Sequence, residues 1–101
     1  MPRRSQNVPE TYSVYERTLA QAMGERLRQR RQQLGLSQKE VRDRLNLEQV
    51  HISRTQYSRI ETGESLLRAS EIIGLVQVLK CSCTWLLFGE EASTEPELML
   101  T

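Results

Sequence analysis

The sequence is poor in the features that build large, exported or catalytic domains. A single Trp and a single Phe in 101 residues leave only a modest core, to be filled by Leu, Ile and Val from packed helices. The two cysteines, Cys81 and Cys83, are separated by one residue. Such a pair closes no useful loop, and without a second pair or a His cluster it makes no zinc site. Both are expected to serve as small apolar side chains. The only histidine, His51, has no nucleophile or carboxylate arranged around it, which argues against a catalytic base and against an enzyme. No apolar run approaches the ~20 residues that span a bilayer, and no basic-then-apolar leader opens the chain. The expectation is a cytoplasmic protein with no membrane segment, no metal and no small-molecule cofactor. Strand alternation with hairpin turns is missing as well, so the fold class is all-α.

Charge, by contrast, is present and unevenly spread. Between Met23 and Gly63 nine basic residues stand against five acidic ones, while Glu90 to Thr101 carries four acids and no base. A basic centre with an acidic tail points to a polyanionic partner for the centre, although a solvated helical surface is also rich in arginine.

The pattern along the chain predicts five helices. Residues 1–15 hold two prolines near their start and are expected to form a flexible arm; residues 16–90 form the domain and 91–101 an acidic tail. The period of Val14, Leu19, Ala22, Met23, Leu27 and Leu34 predicts a first helix from about Glu16, or from Tyr12, to Leu34, ended by Gly35. SQKE, from Ser37 to Glu40, is a capping box opening a second helix that ends near Asn46, with Val41 and Leu45 inward. SRTQ, from Ser53 to Gln56, repeats the pattern for a third helix closed by Gly63, with Tyr57 and Ile60 inward. ASEIIGLVQVL predicts a largely buried fourth helix, and SCTWLLF a short fifth whose Trp85, Leu86 and Phe88 seal the core.

Helices two and three are adjacent, separately capped and basic at the third. A helix-turn-helix lays its second helix in the major groove of DNA and its first across the backbone. Arginine can grip guanine edges in bidentate fashion, and Ser, Thr and Gln can bond bases or phosphates. With Tyr57 and Ile60 inward, Arg54, Thr55, Ser58 and Arg59 share the outer face of the third helix.

MGERLRQRRQQLGLSQ, ISRTQYSRIETGE and LKCSCTWLLFGE, in that order, resemble three parts of the phage repressor and Cro type of helix-turn-helix DNA-binding domain. The resemblance covers about Ala22 to Glu90. It implies a compact five-helix bundle of the lambda-repressor-like kind, and a double-stranded DNA partner for a transcriptional regulator of the repressor sort, acting as a homodimer. An antitoxin-like or other protein-interaction module on the same fold is the alternative. By position, the resemblance implies phosphate contact and support of base contacts for Gln38, with Lys39 beside it. It implies base reading for Arg54 and Thr55, with Arg59 as a further reader, and capping or backbone positioning for Ser53 and Ser58. Arg31 and Glu61 match a structural ion pair tying the first helix to the end of the third.

Two positions depart from that pattern. Arg30 stands where the family usually has a leucine. The spacing from Gln38 to Glu61 is five residues longer than usual, with the extra residues between Asn46 and Ser53. Either the second helix runs on through NLEQ, or it ends at Asn46 and LEQVH forms a protruding loop. Asn46, and the extended look of Val50-His51-Ile52, favour the loop. In both cases Ile52 takes the hydrophobic position ahead of the Ser53 cap.

Overall fold

The computed structural model describes residues 10–90; the first nine residues and the acidic tail 91–101 lie outside the described residues, as do any roles for Arg3, Arg4 and the Leu98–Leu100 run. Five helices follow one another: α1 Glu10–Gln33, α2 Gln38–Leu47, α3 Arg54–Thr62, α4 Ala69–Leu79 and α5 Cys83–Phe88, with no strand among the described residues. None of these helices is long and apolar enough to cross a membrane.

α1 starts at Glu10, ahead of the expected Glu16, so six of the residues read as arm are helical. Its first turns were invisible to a reading based on buried spacing because they bury little: Tyr12, Val14 and Tyr15 are exposed, and Ala20 is the first buried residue. Val14 therefore is not on the inward face. Further along, Met23 and Leu27 enter the core as expected.

The core is a cluster of Met23, Leu27, Val41, Leu45, Ile52, Tyr57, Ile60, Leu75, Val78, Leu79 and Leu86, closed at one side by Leu36. α1 packs most heavily on α3, α2 lies against α3 and α4, and α5 bridges α4 and α1. Three expectations for the later helices fail. Of Ile72, Ile73, Leu75, Val76 and Leu79, the apolar residues from which α4 is expected to be largely buried, Ile73 faces solvent, while Val78 is buried, because α4 buries one face and Ile73 falls off it. Phe88, at the end of the short α5, is 71% exposed, so Leu86 seals the core with Trp85 and Leu87 half-buried beside it. Cys83 is exposed at the first position of α5, whereas Cys81 is half-buried and burial pushes its thiol pKa up.

The α1–α3 contact is close enough to exclude a side chain. A Cβ on Gly24 would fall against the carbonyl oxygen of Ile60 and lie 2.7 Å from that of Glu61, both backbone atoms that cannot swing away. Gly24→Ala should therefore push α3 off α1 and cost about 1–3 kcal/mol, the range for overpacked sites, even though alanine is the better helix former. A urea melt of the variant measures it.

Arg30, the residue out of pattern in α1, closes the far end of α4. Its Nε donates to the Leu79 carbonyl at 2.8 Å and its Nη2 to that of Lys80 at 3.1 Å. One turn earlier, Arg26 does the same for α5, donating to Leu86 O at 2.9 Å and Leu87 O at 3.3 Å. Both satisfy carbonyls that a helix leaves unpaired at its C-terminus and place positive charge at the negative end of the dipole. Much of the basic excess counted in the sequence is thus committed to the fold.

Candidate nucleic-acid interface

The lengthened connection is built inward. α2 ends at Leu47, one residue past the expected Asn46, and Gln49 takes a left-handed conformation at φ 63°. Val50 N–H donates to Leu45 O at 2.9 Å and Gln49 N–H to Asn46 O at 3.0 Å. These are the two bonds of a Schellman motif, formed here around glutamine where glycine is usual. The motif's hydrophobic contact is present too. Leu45 and Val50 converge on Gly74 of α4, where an added Cβ would sit 3.0 Å from each of them. Ile52 follows, 3% exposed, while His51 between them faces solvent. The expected protruding loop is therefore a turn anchored at both Val50 and Ile52, and the helical extension through NLEQ does not form beyond Leu47.

From this anchor Ser53 caps α3, its Oγ accepting from Gln56 N at 3.1 Å. Gln56 does not return the bond, so only the serine half of the expected capping box forms; at the start of α2 both halves do, with Glu40 N to Ser37 Oγ at 3.0 Å and Ser37 N to Glu40 Oε1 at 2.8 Å. Hydrogen bonds from Ser37, first from its backbone N–H, hold the Glu40 carboxyl below the usual carboxylate range. α3 has no acid in its first turn, which leaves the positive end of its dipole uncompensated.

α3 buries Tyr57, Ile60 and Glu61 and turns Arg54, Thr55, Ser58 and Arg59 outward, all four exposed. The orientation is fixed by a buried polar knot. Glu61, with 2% of its side chain exposed, receives Arg31 Nε at 2.7 Å and Nη2 at 3.0 Å as a two-pronged pair. Arg31 Nη1 also donates to Leu36 O at 2.9 Å, and Gln38 Nε2 donates to Glu61 Oε1 at 3.0 Å. The hydrogen bond to Glu61 raises the Arg31 pKa against the opposing effect of burial, so the guanidinium stays charged. The Tyr57 hydroxyl is buried beside the pair. Its geometry falls short of a hydrogen bond, and burial first, with the Glu61 charge second, pushes its pKa up. It remains a neutral phenol.

Gln38 thus has a structural partner that the sequence reading did not assign, and one amide N–H remains for an outside acceptor. Lys39 is exposed and pairs with Asp43 at 2.9 Å, and Arg59 lies 3.6 Å from Glu64; pairs this exposed contribute little to stability and part easily. Gln38, Lys39 and Arg54 line one recess between α2 and α3 together with Arg42, a residue not singled out from the sequence. Its spacing carried the signal, since Arg42 lies four residues after Gln38 on the same helix face.

The helix-turn-helix family model matches residues 27–86. The chain is 38% identical over 69 residues to the HTH-type transcriptional regulator DicA of Escherichia coli (strain K12), a match covering 68% of this chain and 47% of that protein. The chain therefore spans about half the length of the curated relative it matches. No solved structure matches. The matched span begins at Leu27 and ends at Leu86, two core residues that bracket the capped pair α2–α3 and the Arg31–Glu61 knot behind it. The chain belongs to the helix-turn-helix family.

Proposed function

We propose that this chain is a sequence-specific, double-stranded DNA-binding transcriptional regulator of the repressor kind, acting as a cytoplasmic homodimer rather than as an enzyme. The observation that carries the reading is the outer face of α3: Arg54, Thr55, Ser58 and Arg59 are exposed on a helix whose opposite face is locked into the core. Such a face offers guanidinium, hydroxyl and backbone donors to base edges and flanking phosphates. The similarity to a transcriptional regulator supports the same reading. Two copies on two half-sites supply the affinity and specificity that one module of this size lacks.

A salt titration on random duplex DNA tests the binding. Affinity should fall steeply as salt rises, because contacts to phosphates release counterions. No binding even at low salt contradicts the reading. Arg59→Ala should weaken binding to a preferred site by about 1–3 kcal/mol and relax the preference at one base position, the Glu64 pair being too exposed to matter. Competition between duplexes differing at single positions measures this, and an equal loss on all of them removes Arg59 from base reading.

A further inference from the structure

We infer that the exposed start of α1 is a self-association surface: Tyr12, Tyr15, Leu19 and Ala22 form an uncharged seam that packs against the same seam of a second copy of this chain, the two helices running antiparallel. The inference rests on the homodimer part of the proposed function and gives that dimer its surface.

α1 reaches well beyond the core it serves. It begins at Glu10, and Ala20 is its first buried residue. The ten residues ahead of Ala20 extend about 15 Å at the rise of an α-helix. On this stretch Tyr12 and Tyr15 are 61% and 63% exposed, and Leu19 and Ala22 are half-buried. The steps from Tyr12 through Tyr15 and Leu19 to Ala22 are three, four and three residues. That is the spacing by which one helix packs along another. The only charges between Thr11 and Gln21, Glu16 and Arg17, line a groove with Gly63 and Leu66 and so lie off the seam.

The fold itself shows what covers this stripe further along. One turn past Ala22 the stripe meets Arg26, which is tied to the Leu86 and Leu87 carbonyls of α5. A helix of the chain's own therefore lies over α1 at that level, and it stops at Phe88, whose ring is 71% exposed. Upstream, Tyr12 and Tyr15 receive no such cover. A second helix laid over them continues the packing that α5 begins.

The seam is complementary to itself. With a two-fold axis at Arg17, Tyr12 falls opposite the partner subunit's Ala22 and Tyr15 opposite the partner subunit's Leu19, and the symmetry repeats both pairs. Large side chains then meet smaller ones, as interdigitated layers require. Parallel pairing sets Tyr12 on its own copy and Ala22 on its own copy, one layer crowded and the other empty. The antiparallel arrangement also brings the partner's start of α1 toward Phe88. Aromatic side chains bury about 150–250 Å² each, so Tyr12, Tyr15 and Phe88 offer roughly half of the ~800 Å² per partner that a stable interface covers. Leu19, Ala22 and the flanking Thr11 and Thr18 add to that.

Sedimentation equilibrium of the full chain over a wide concentration range tests the seam. Wild type should be a reversible dimer. Tyr15→Glu should raise its dissociation constant about tenfold or more, the scale of an aromatic anchor at the centre of an interface. Tyr15→Phe should leave it nearly unchanged. Val14→Glu is the control, since Val14 is also exposed and apolar but lies off the seam. Raised salt should leave the dimer intact, because the seam carries no charge, whereas binding to duplex DNA weakens. Circular dichroism confirms that each variant is folded; the substituted side chains lie outside the core. If wild type dimerises and folded Tyr15→Glu does so equally well, the seam is wrong and the homodimer reading stands. The seam is also wrong if Val14→Glu dissociates the dimer as readily as Tyr15→Glu, or if salt alone does so. If wild type is monomeric at every concentration, the seam and the homodimer reading fall together.

Discussion

Glu61→Ala should destabilise the domain by about 3–5 kcal/mol, the cost of stripping one partner from a buried ion pair. The loss falls on two neighbours at once, through three hydrogen bonds. The Arg31 guanidinium, 12% exposed, keeps its bond to Leu36 O but loses both bonds to the carboxylate, and the Gln38 amide loses its acceptor. A domain of this size has about 5–15 kcal/mol in hand, so about a fifth or more of its stability goes with one side chain. Urea denaturation followed by circular dichroism measures the shift. Replacing both partners, as Arg31→Met with Glu61→Leu, should recover most of the loss, because no buried charge is then left unpaired. If the double variant is as damaged as Glu61→Ala, the cost lies in packing at Glu61 and not in the orphaned arginine. Arg31→Lys should rescue poorly, since a single ammonium cannot supply the fork that reaches both carboxylate oxygens and the Leu36 carbonyl.

Ile52→Ala carries the second large effect, about 2–5 kcal/mol, for the cavity it leaves. Ile52 is 3% exposed and immediately precedes the Ser53 cap, so its side chain sets where α3 begins. The loss should therefore appear in two readouts: a lower denaturation midpoint, and weaker duplex binding by protein that is still folded. His51→Ala next to it should change stability by less than about 0.5 kcal/mol, as a surface substitution does. Val50→Ala should fall between, because Val50 is half-buried against Leu45 and Gly74. Should Ile52→Ala cost no more than His51→Ala, the lengthened turn is a loose spacer and its hydrophobic anchoring is wrong.

Much of this architecture can be read from the residues, and the places where reading stops have physical reasons. Ser37, Ser53 and Gly63 announce helix ends through bonds made within four residues, and all three stand at helix ends in the fold. Leu27, Val41, Leu45, Tyr57 and Ile60 follow from helical spacing, and all are buried. The turn at Gln49 was harder to foresee. A Schellman motif usually shows itself by a glycine, and here the left-handed residue is a glutamine held by Val50 and Leu45 converging on a helix two elements away. That is a tertiary cause with no local mark. The uses of Arg26 and Arg30 were hidden for the same reason, since their acceptors lie 60 and 49 residues further along the chain. Arginine spacing shows which face a guanidinium occupies; whether that face meets solvent or the end of another helix depends on packing. The start of α1 lies ahead of the point that apolar spacing marks, because its first turns are helical without being buried and amphipathic spacing detects burial. For the candidate interface, helical spacing puts Arg54, Thr55, Ser58 and Arg59 on one face, and all four are exposed; the spacing of Arg42 from Gln38 carries the same kind of signal on α2.

The most direct test of the whole account is selection of bound duplexes from a random pool by the full chain at moderate salt. Enrichment is expected of one short half-site repeated in two-fold symmetry, its centres about 10–10.5 base pairs apart or a multiple of that, as two recognition helices on one face of the duplex require. Recovery of a pool still random in sequence, from protein shown to be folded, would contradict sequence-specific reading by α3.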